Sequence, residues 1–315
     1  VLFVWLSFSI YNHIINQPNW QTSWQQIKAT LTGPQSFKLV FVVGLMVVNW
    51  TLEAGKWKIL VRHIEHISLF TSFKGILAGV SFAINTPNRV GEYFGRIIYL
   101  KEGNRLRAIS LTVVGSISQL IITVVFGIVG LFFLRQLFTS GTVTTMPALS
   151  LLWIDIILYG ASGVAVALLL VYFRLSFLIK IIEKIPFVTR FVYFIQKLED
   201  FKWKELLTIL LLSLARYTVF IVQYVLLLQV FEVNISLWQS CWLTFVMFLV
   251  MAVIPTIALA ELGLRGQVSL LLFGLISKNA LGIVIMASSI WLINLVIPAL
   301  AGSLFILGTK FFRSK

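Results

Sequence analysis

The stretch FAINTPNRVGEYFGRIIYL (Phe82–Leu100) lies in a strongly apolar chain, yet it carries Asn85, Pro87, Arg89, Glu92 and Arg96. The 315 residues are 59% hydrophobic and only 11% charged, with a mean hydropathy of +0.97. Soluble domains carry about 25% charged residues, and so much apolar surface has no place in water. Apolar runs of roughly 20 residues recur from end to end, which is the length of an α-helical span and not of a barrel strand. The expected fold is an all-α polytopic membrane protein. A charge at the centre of a lipid-facing helix costs about 3 kcal/mol on insertion scales. A broken backbone also leaves N–H and C=O groups that need protein or water partners. A segment with a proline and three charges therefore belongs between other helices, lining a wet cavity.

Apolar runs place six spans at about 1–15, 38–60, 108–134, 149–173, 205–231 and 283–309, with two interrupted segments at 75–100 and 241–277. Seventeen Lys and Arg fall in four stretches: 56–74 (Lys56, Lys58, Arg62, Lys74), 101–107 (Lys101, Arg105, Arg107), 174–204, and the tail (Lys310, Arg313, Lys315). The other connections hold four, namely Lys28, Lys38, Arg135 and Lys278, and Arg89, Arg96, Arg216 and Arg265 lie within apolar segments. The positive-inside rule makes the basic stretches and the C-terminus cytoplasmic. Segment 75–100 then has to start and finish on the inner face, bent around Asn85-Thr86-Pro87-Asn88, and 241–277 on the outer face, bent around Pro255 to Gly266. Each half reads span, span, re-entrant segment, span, with opposite starting sides, which is an inverted repeat. The expectation is one transmembrane domain over 1–315 with six spanning helices and two opposed re-entrant, broken helical hairpins. The first repeat is 1–134, the second 149–315, and 174–204 is a cytoplasmic amphipathic connector.

The two bends share chemistry. TPNRVGEYFGR (Thr86–Arg96) and IPTIALAELGLRG (Ile254–Gly266) both run Pro, Glu, Gly, Arg: Pro87, Glu92, Gly95, Arg96 against Pro255, Glu261, Gly263, Arg265. The prolines break the helix, and Gly91, Gly95 and Gly263 allow close approach. On one reading Arg89–Glu92 and Glu261–Arg265, at i,i+3 and i,i+4, only neutralise each other. On the other, the arginines meet an anionic ligand and the glutamates orient them, because the planar guanidinium offers phosphate two hydrogen bonds at once. The candidate binding residues are Asn85, Arg89, Glu92, Arg96, Arg216, Glu261 and Arg265, with Tyr217 and Gln119 as further candidates. Glu53 and Asp155, near span ends, read as snorkelling or interface residues.

The net charge of +14, from 25 Lys and Arg against 11 Asp and Glu, sits in loops between apolar runs. It points to anionic lipid headgroups and orientation in the membrane, not to nucleic acid. The single cysteine, Cys241, forms no internal disulfide. His63 and His66 in KWKILVRHIEHISLF (Lys56–Phe70) lack a third ligand and read as interface histidines. No metal site, cofactor site or catalytic set is expected, and no nucleotide-binding or hydrolase motif occurs. The basic, amphipathic stretch Arg174 to Glu205 reads as one or two helices on the inner leaflet, split at Pro186, either a plain connector or a lipid-gathering collar, and Trp20 and Trp24 as an interfacial anchor on the outer side. The chain opens in VLFVWLSFSI with no initiator Met, so a short preceding N-terminus is expected and a cleaved signal peptide is not.

At Asn85-Thr86-Pro87-Asn88-Arg89-Val90-Gly91-Glu92, followed by Arg96, the chain resembles the transmembrane domain of the lysylphosphatidylglycerol synthase family, also called flippase-like membrane proteins. That family's first motif looks like N-x-P-x-R-x-G-E followed shortly by Arg. A later motif looks like P-G-G-x-G-x-x-E; here Pro255 and Glu261 remain while TIALA (Thr256–Ala260) replaces the glycines. The soluble aminoacyl-transferase domain of bifunctional members is not in this sequence, so lysine transfer from tRNA is not implied. The resemblance implies movement of a phospholipid or polyprenyl-linked lipid between leaflets of a bacterial inner membrane. The expected partners are anionic lipids, with a homo-oligomer or a partner enzyme also open. The alternatives are an integral-membrane transferase acting on a lipid headgroup with Glu92 or Glu261 as general base, and a non-transporting subunit. For a transporter, a proton carried by Glu92 or Glu261 is one candidate driving force.

Overall fold

The structure, a computed structural model, describes residues 21, 24, 25, 28, 29, 33–84, 86, 89–141, 150–174, 201–255 and 257–307. The expected span at 1–15, most of the connector 174–204, the tail and the bend residues Asn85, Pro87 and Asn88 lie outside the described residues. What is described is helical, without a strand. The helices are α1 (Phe37–Val61), α2 (Leu69–Ala83), α3 (Gly91–Ile97), α4 (Arg105–Thr139), α5 (Leu151–Phe173), α6 (Trp203–Val230), α7 (Leu237–Val253), α8 (Ala258–Phe273) and α9 (Ala280–Leu307). Helices α1, α4, α5, α6 and α9 are long and apolar enough to cross a membrane, and they coincide with five of the six expected spans. Helix α9 widens to a π turn at Leu292–Val296, ahead of Pro298. The protein is a multi-pass, all-helical membrane protein.

By its contacts the chain divides into two compact units, 49–124 with 162–217 and 298–315, and 1–48 with 125–161 and 218–297. In the first, the interrupted segment is a tight pair of helices, α2 and α3. Ser68 caps α2 by accepting the Thr71 N–H at 3.0 Å. Beyond Ala83 the backbone needs new partners, and Thr86 supplies them: its hydroxyl accepts the Gly91 N–H at 2.8 Å and donates back to Phe82 and Ala83 carbonyls. Glycine lets the two helices touch backbone to backbone. A methyl at Gly95 would collide with Gly79 and Ala78, one at Gly91 with the Phe82 carbonyl, and one at Gly79 with the Glu92 backbone. Between the helices Arg89 takes φ +57°, a left-handed conformation that costs a side-chain-bearing residue about 1–2 kcal/mol. The two ends of the excursion are clasped. Glu65 accepts from the Lys101 N–H and the Asn104 side chain, both at 3.0 Å, and Asn104 also donates to the Ile64 carbonyl.

The second unit holds the other interrupted segment, built the same way. A reciprocal Ser236–Gln239 capping box starts α7. Helix α7 stops at Val253 before Pro255, and α8 resumes at Ala258 and packs back on α7, with the Ser269 hydroxyl 3.3 Å from the Met247 sulfur. Here too an asparagine clasps the ends: Asn279 donates to the Phe231 and Glu232 carbonyls, both at 3.1 Å. Gly127 and Gly130 of α4 sit against Leu249 and Trp242 of α7, where larger residues would not fit. One expectation is corrected: Lys56 and Lys58 lie inside α1 and Lys74 inside α2, so Arg62 alone of the basic residues in 56–74 falls between the two helices. The sequence run is amphipathic there, and the helix simply continues through the lysines.

Candidate functional site: a buried carboxylate among three cations

Helix α1 places Asn49, Glu53 and Lys56 at i, i+4 and i+7, hence on one face. Helix α3 stacks Glu92 over Arg96, and α6 contributes Ser213 and Arg216. These side chains converge in the first unit on Glu53, which is 2% exposed. Its carboxylate lies 2.8 Å from Lys56 Nζ, 3.0 Å from an Arg96 Nη and 2.9 Å from an Arg216 Nη. Arg96 also reaches Glu92 at 3.0 Å. Arg216 donates through Nε to the Asn49 side-chain oxygen at 2.8 Å, and Lys56 to the Gly115 carbonyl at 3.3 Å and the Ser213 hydroxyl at 3.4 Å. Ser213 is in turn 2.8 Å from Ser118. The Arg216 guanidinium lies over the Trp50 ring and that of Arg96 over Trp57, at 5.1 and 5.9 Å from the centroids. Buried charges survive desolvation only when paired, and each of these has a partner of opposite sign.

The candidate residues of the first bend therefore fall into a centre and a margin. Glu92, Arg96 and Arg216 belong to the Glu53 cluster. Arg89 stands at its edge, 42% exposed, with Nε 3.7 Å from Glu92. Gly91 and Gly95 form the α2–α3 contact. Asn85 and Pro87 lie outside the described residues. In the second unit Arg265 pairs with Glu261 at 2.6 Å and donates to the Tyr224 hydroxyl at 2.5 Å, while Tyr224 packs edge-on against Phe248. Pro255 is exposed at the end of α7, and Gly263 is buried in α8. Tyr217 is buried in α6, and the Gln119 side-chain oxygen is buried with no hydrogen-bond partner. Asp155 forms a two-pronged pair with Arg135, 2.6 Å from its Nε.

Glu53 is the main correction. Position near a span end suggested a snorkelling side chain; instead it is the hub, because α1 runs on for two more turns past it and buries it. Asn49 and Lys56 were not singled out from the sequence. Their signal was available: polar residues at 49, 53 and 56 in an otherwise apolar run share one helix face. Outside the cluster, Glu205 binds Arg62, accepts the Lys202 N–H at 3.0 Å and lies 3.2 Å from His63 Nε2, so the α1 end is fastened to the start of α6.

The sequence pattern of the family described as lysylphosphatidylglycerol synthase TM region matches residues 1–302. The chain belongs to this family. No curated protein and no solved structure matches the chain significantly. Membership ties this membrane protein to lipid modification or flipping.

Proposed function

We propose that the protein is a flippase-like transporter that moves an anionic lipid headgroup, phospho- or polyprenyl-linked, across a bacterial inner membrane. The observation that carries this reading is the Glu53–Lys56–Arg96–Arg216 cluster, set among α1, α3 and α6, of which α1 and α6 are of spanning length. Ionisable groups at such positions are expensive and mark pathways for polar cargo. In this reading the chain has six spans and two opposed re-entrant hairpins in an inverted repeat, 1–134 and 149–315, with its C-terminus in the cytoplasm. The clasps support it: Asn104 and Asn279 each tie the start of a helical excursion to its end, as a segment that returns to the face it left requires. The headgroup meets Arg96 and Arg216, with Arg89 as the first contact at the margin. Arg265 with Glu261 is a second anion station of like chemistry. The acyl tails stay in lipid, and the partners are the anionic lipids themselves.

Arg89 provides the cleanest test. Arg89→Gly removes the strained left-handed residue and an ion pair that is largely screened, so the fold is retained. The variant is expected to unfold at or above the wild-type temperature in detergent yet to lose translocation of fluorescent phosphatidylglycerol in proteoliposomes. Retained translocation by Arg89→Gly together with Arg96→Gln would remove the cluster from the transport path.

A further inference from the structure

Among the helices of spanning length, α1, α4, α5 and α6 run as unbroken α-helix with no proline in them. Helix α9 is different. Its first part, Ala280–Trp291, passes into the π turn at Leu292–Val296, where the Ile297 N–H reaches back to the Leu292 carbonyl. One position on, Pro298 has no N–H to give. The Asn294 side-chain amide donates to the Ile290 carbonyl at 3.3 Å, so a side chain stands in the backbone ladder. Helices bend where the ladder is interrupted in these ways. The two parts of α9 also have different neighbours. Ahead of the π turn, Gly282 lies against the Phe231 carbonyl and gives its N–H to the Asn279 side-chain oxygen at 2.9 Å, so this part is fixed at the second clasp. Beyond it, Ile297–Leu307 is fastened to α2–α3. The Ser81 hydroxyl donates to the Ala299 carbonyl at 2.5 Å, and the Tyr99 hydroxyl to the Phe305 carbonyl at 3.0 Å. Gly302 packs on the Leu77 carbonyl with no room for a methyl. Lys74 Nζ lies 4.4 Å from the centre of the Phe70 ring and 5.8 Å from that of Phe305.

We propose that the π turn and Pro298 form a hinge on which α2, α3 and Ile297–Leu307 swing as one body relative to the unbroken helices, and that the swing opens the Arg96–Glu53 pair. The body is free to do so because α2–α3 joins α1 and α4 only through the short stretches 62–68 and 98–104. Its pivot end is held near the start of α2, where the Ser72 hydroxyl donates to the Ala54 carbonyl of α1 at 2.6 Å. Arg96 rides on α3 while Glu53 stays on α1, so the movement lengthens their 3.0 Å contact and uncovers the cluster on its α3 side.

Distances between spin labels, measured by double electron–electron resonance, read the swing. The full chain in phosphatidylcholine nanodiscs carries Cys241→Ser, so that labels attach only at introduced cysteines. Leu304→Cys reports on the body and Leu170→Cys, in α5, on the unbroken helices; both positions are exposed. This pair is expected to show two distances with Pro298 in place and one in Pro298→Ala, which gives the turn its N–H back. Leu304→Cys with Phe94→Cys, both on the body, should show one distance in either background. Ser81→Ala cuts a tie inside the body and should split that distance. Arg96→Gln unties α3 from α1 and should enrich the swung population several-fold. A single Leu304–Leu170 distance with Pro298 in place, two that survive Pro298→Ala, or a Leu304–Phe94 distance that varies as much, overturns the hinge. Populations indifferent to Arg96→Gln overturn its link to the cluster. Should Pro298→Ala not fold, the distances with Pro298 in place, in Ser81→Ala and in Arg96→Gln still decide. The last arm rests on the lipid-transport reading: Pro298→Ala should slow translocation of fluorescent phosphatidylglycerol in proteoliposomes about tenfold. A hinge that moves in a chain that translocates nothing sinks the transport reading and keeps this one. Translocation at the wild-type rate by a Pro298→Ala chain held at one distance sinks the hinge's part in transport and keeps the transport reading.

Discussion

Glu53 is the buried carboxylate that Lys56, Arg96 and Arg216 share among the described residues. Replacing it with leucine leaves Lys56, Arg96 and Arg216 facing one another inside an apolar helix packing. Breaking a buried ionic set by removing one partner costs about 3–5 kcal/mol. Glu53→Leu is therefore expected to lower the unfolding temperature sharply in detergent, whereas Asp155→Leu, whose pair with Arg135 is 32% exposed on the carboxylate side, should change it little. Equal effects would mean that the cluster is no more closed to solvent than that peripheral pair. The contrast also shows why the sequence misled here. Glu53 and Asp155 look alike in a string of letters, each an acid a few residues from the end of an apolar run. What separates them is which neighbours the fold delivers, and those come from α3 and α6, far away along the chain.

Helices α2 and α3 are held by absent side chains as much as by present ones. At Gly95 an added methyl meets the backbone of Gly79 and Ala78, so the two helices have to separate to accept it. Overpacking of this kind costs about 1–3 kcal/mol. Gly95→Ala is expected to destabilise by that amount in thermal unfolding, while Gly44→Ala, whose methyl meets nothing within 4 Å, should be neutral or slightly stabilising. A neutral Gly95→Ala would show that the α2–α3 contact is loose. The existence of these interrupted segments was legible beforehand. Pro87 and Pro255, with charges close behind them, cannot sit in uninterrupted lipid-facing helices, and the expected 75–100 and 241–277 became α2–α3 and α7–α8. The limits of the helices were less legible near basic residues, since a lysine stem packs on apolar surface and a helix passes through it unbroken. Lys56 is the case in point: counted as loop charge, it is 2% exposed.

For the chain taken together, five helices of spanning length coincide with five of the six apolar runs read from the sequence. The apolar pattern suffices for that much, because every helical crossing needs about 20 apolar residues. The convergence on Glu53 was not readable, since no periodicity links residues 53, 96 and 216. Single cysteines at His66 and Glu102 flank α2–α3. Both are expected to react with an impermeant maleimide from the same side of the bilayer, the cytoplasmic one, and labelling from opposite sides would turn the excursion into a crossing. The cluster has a further consequence for how the chain is made. Arg216 is synthesised more than a hundred residues after Arg96. Until α6 is made, Glu53 lacks one of its three cations, so the polar set begun by α1 and α3 closes only when a helix made much later joins them.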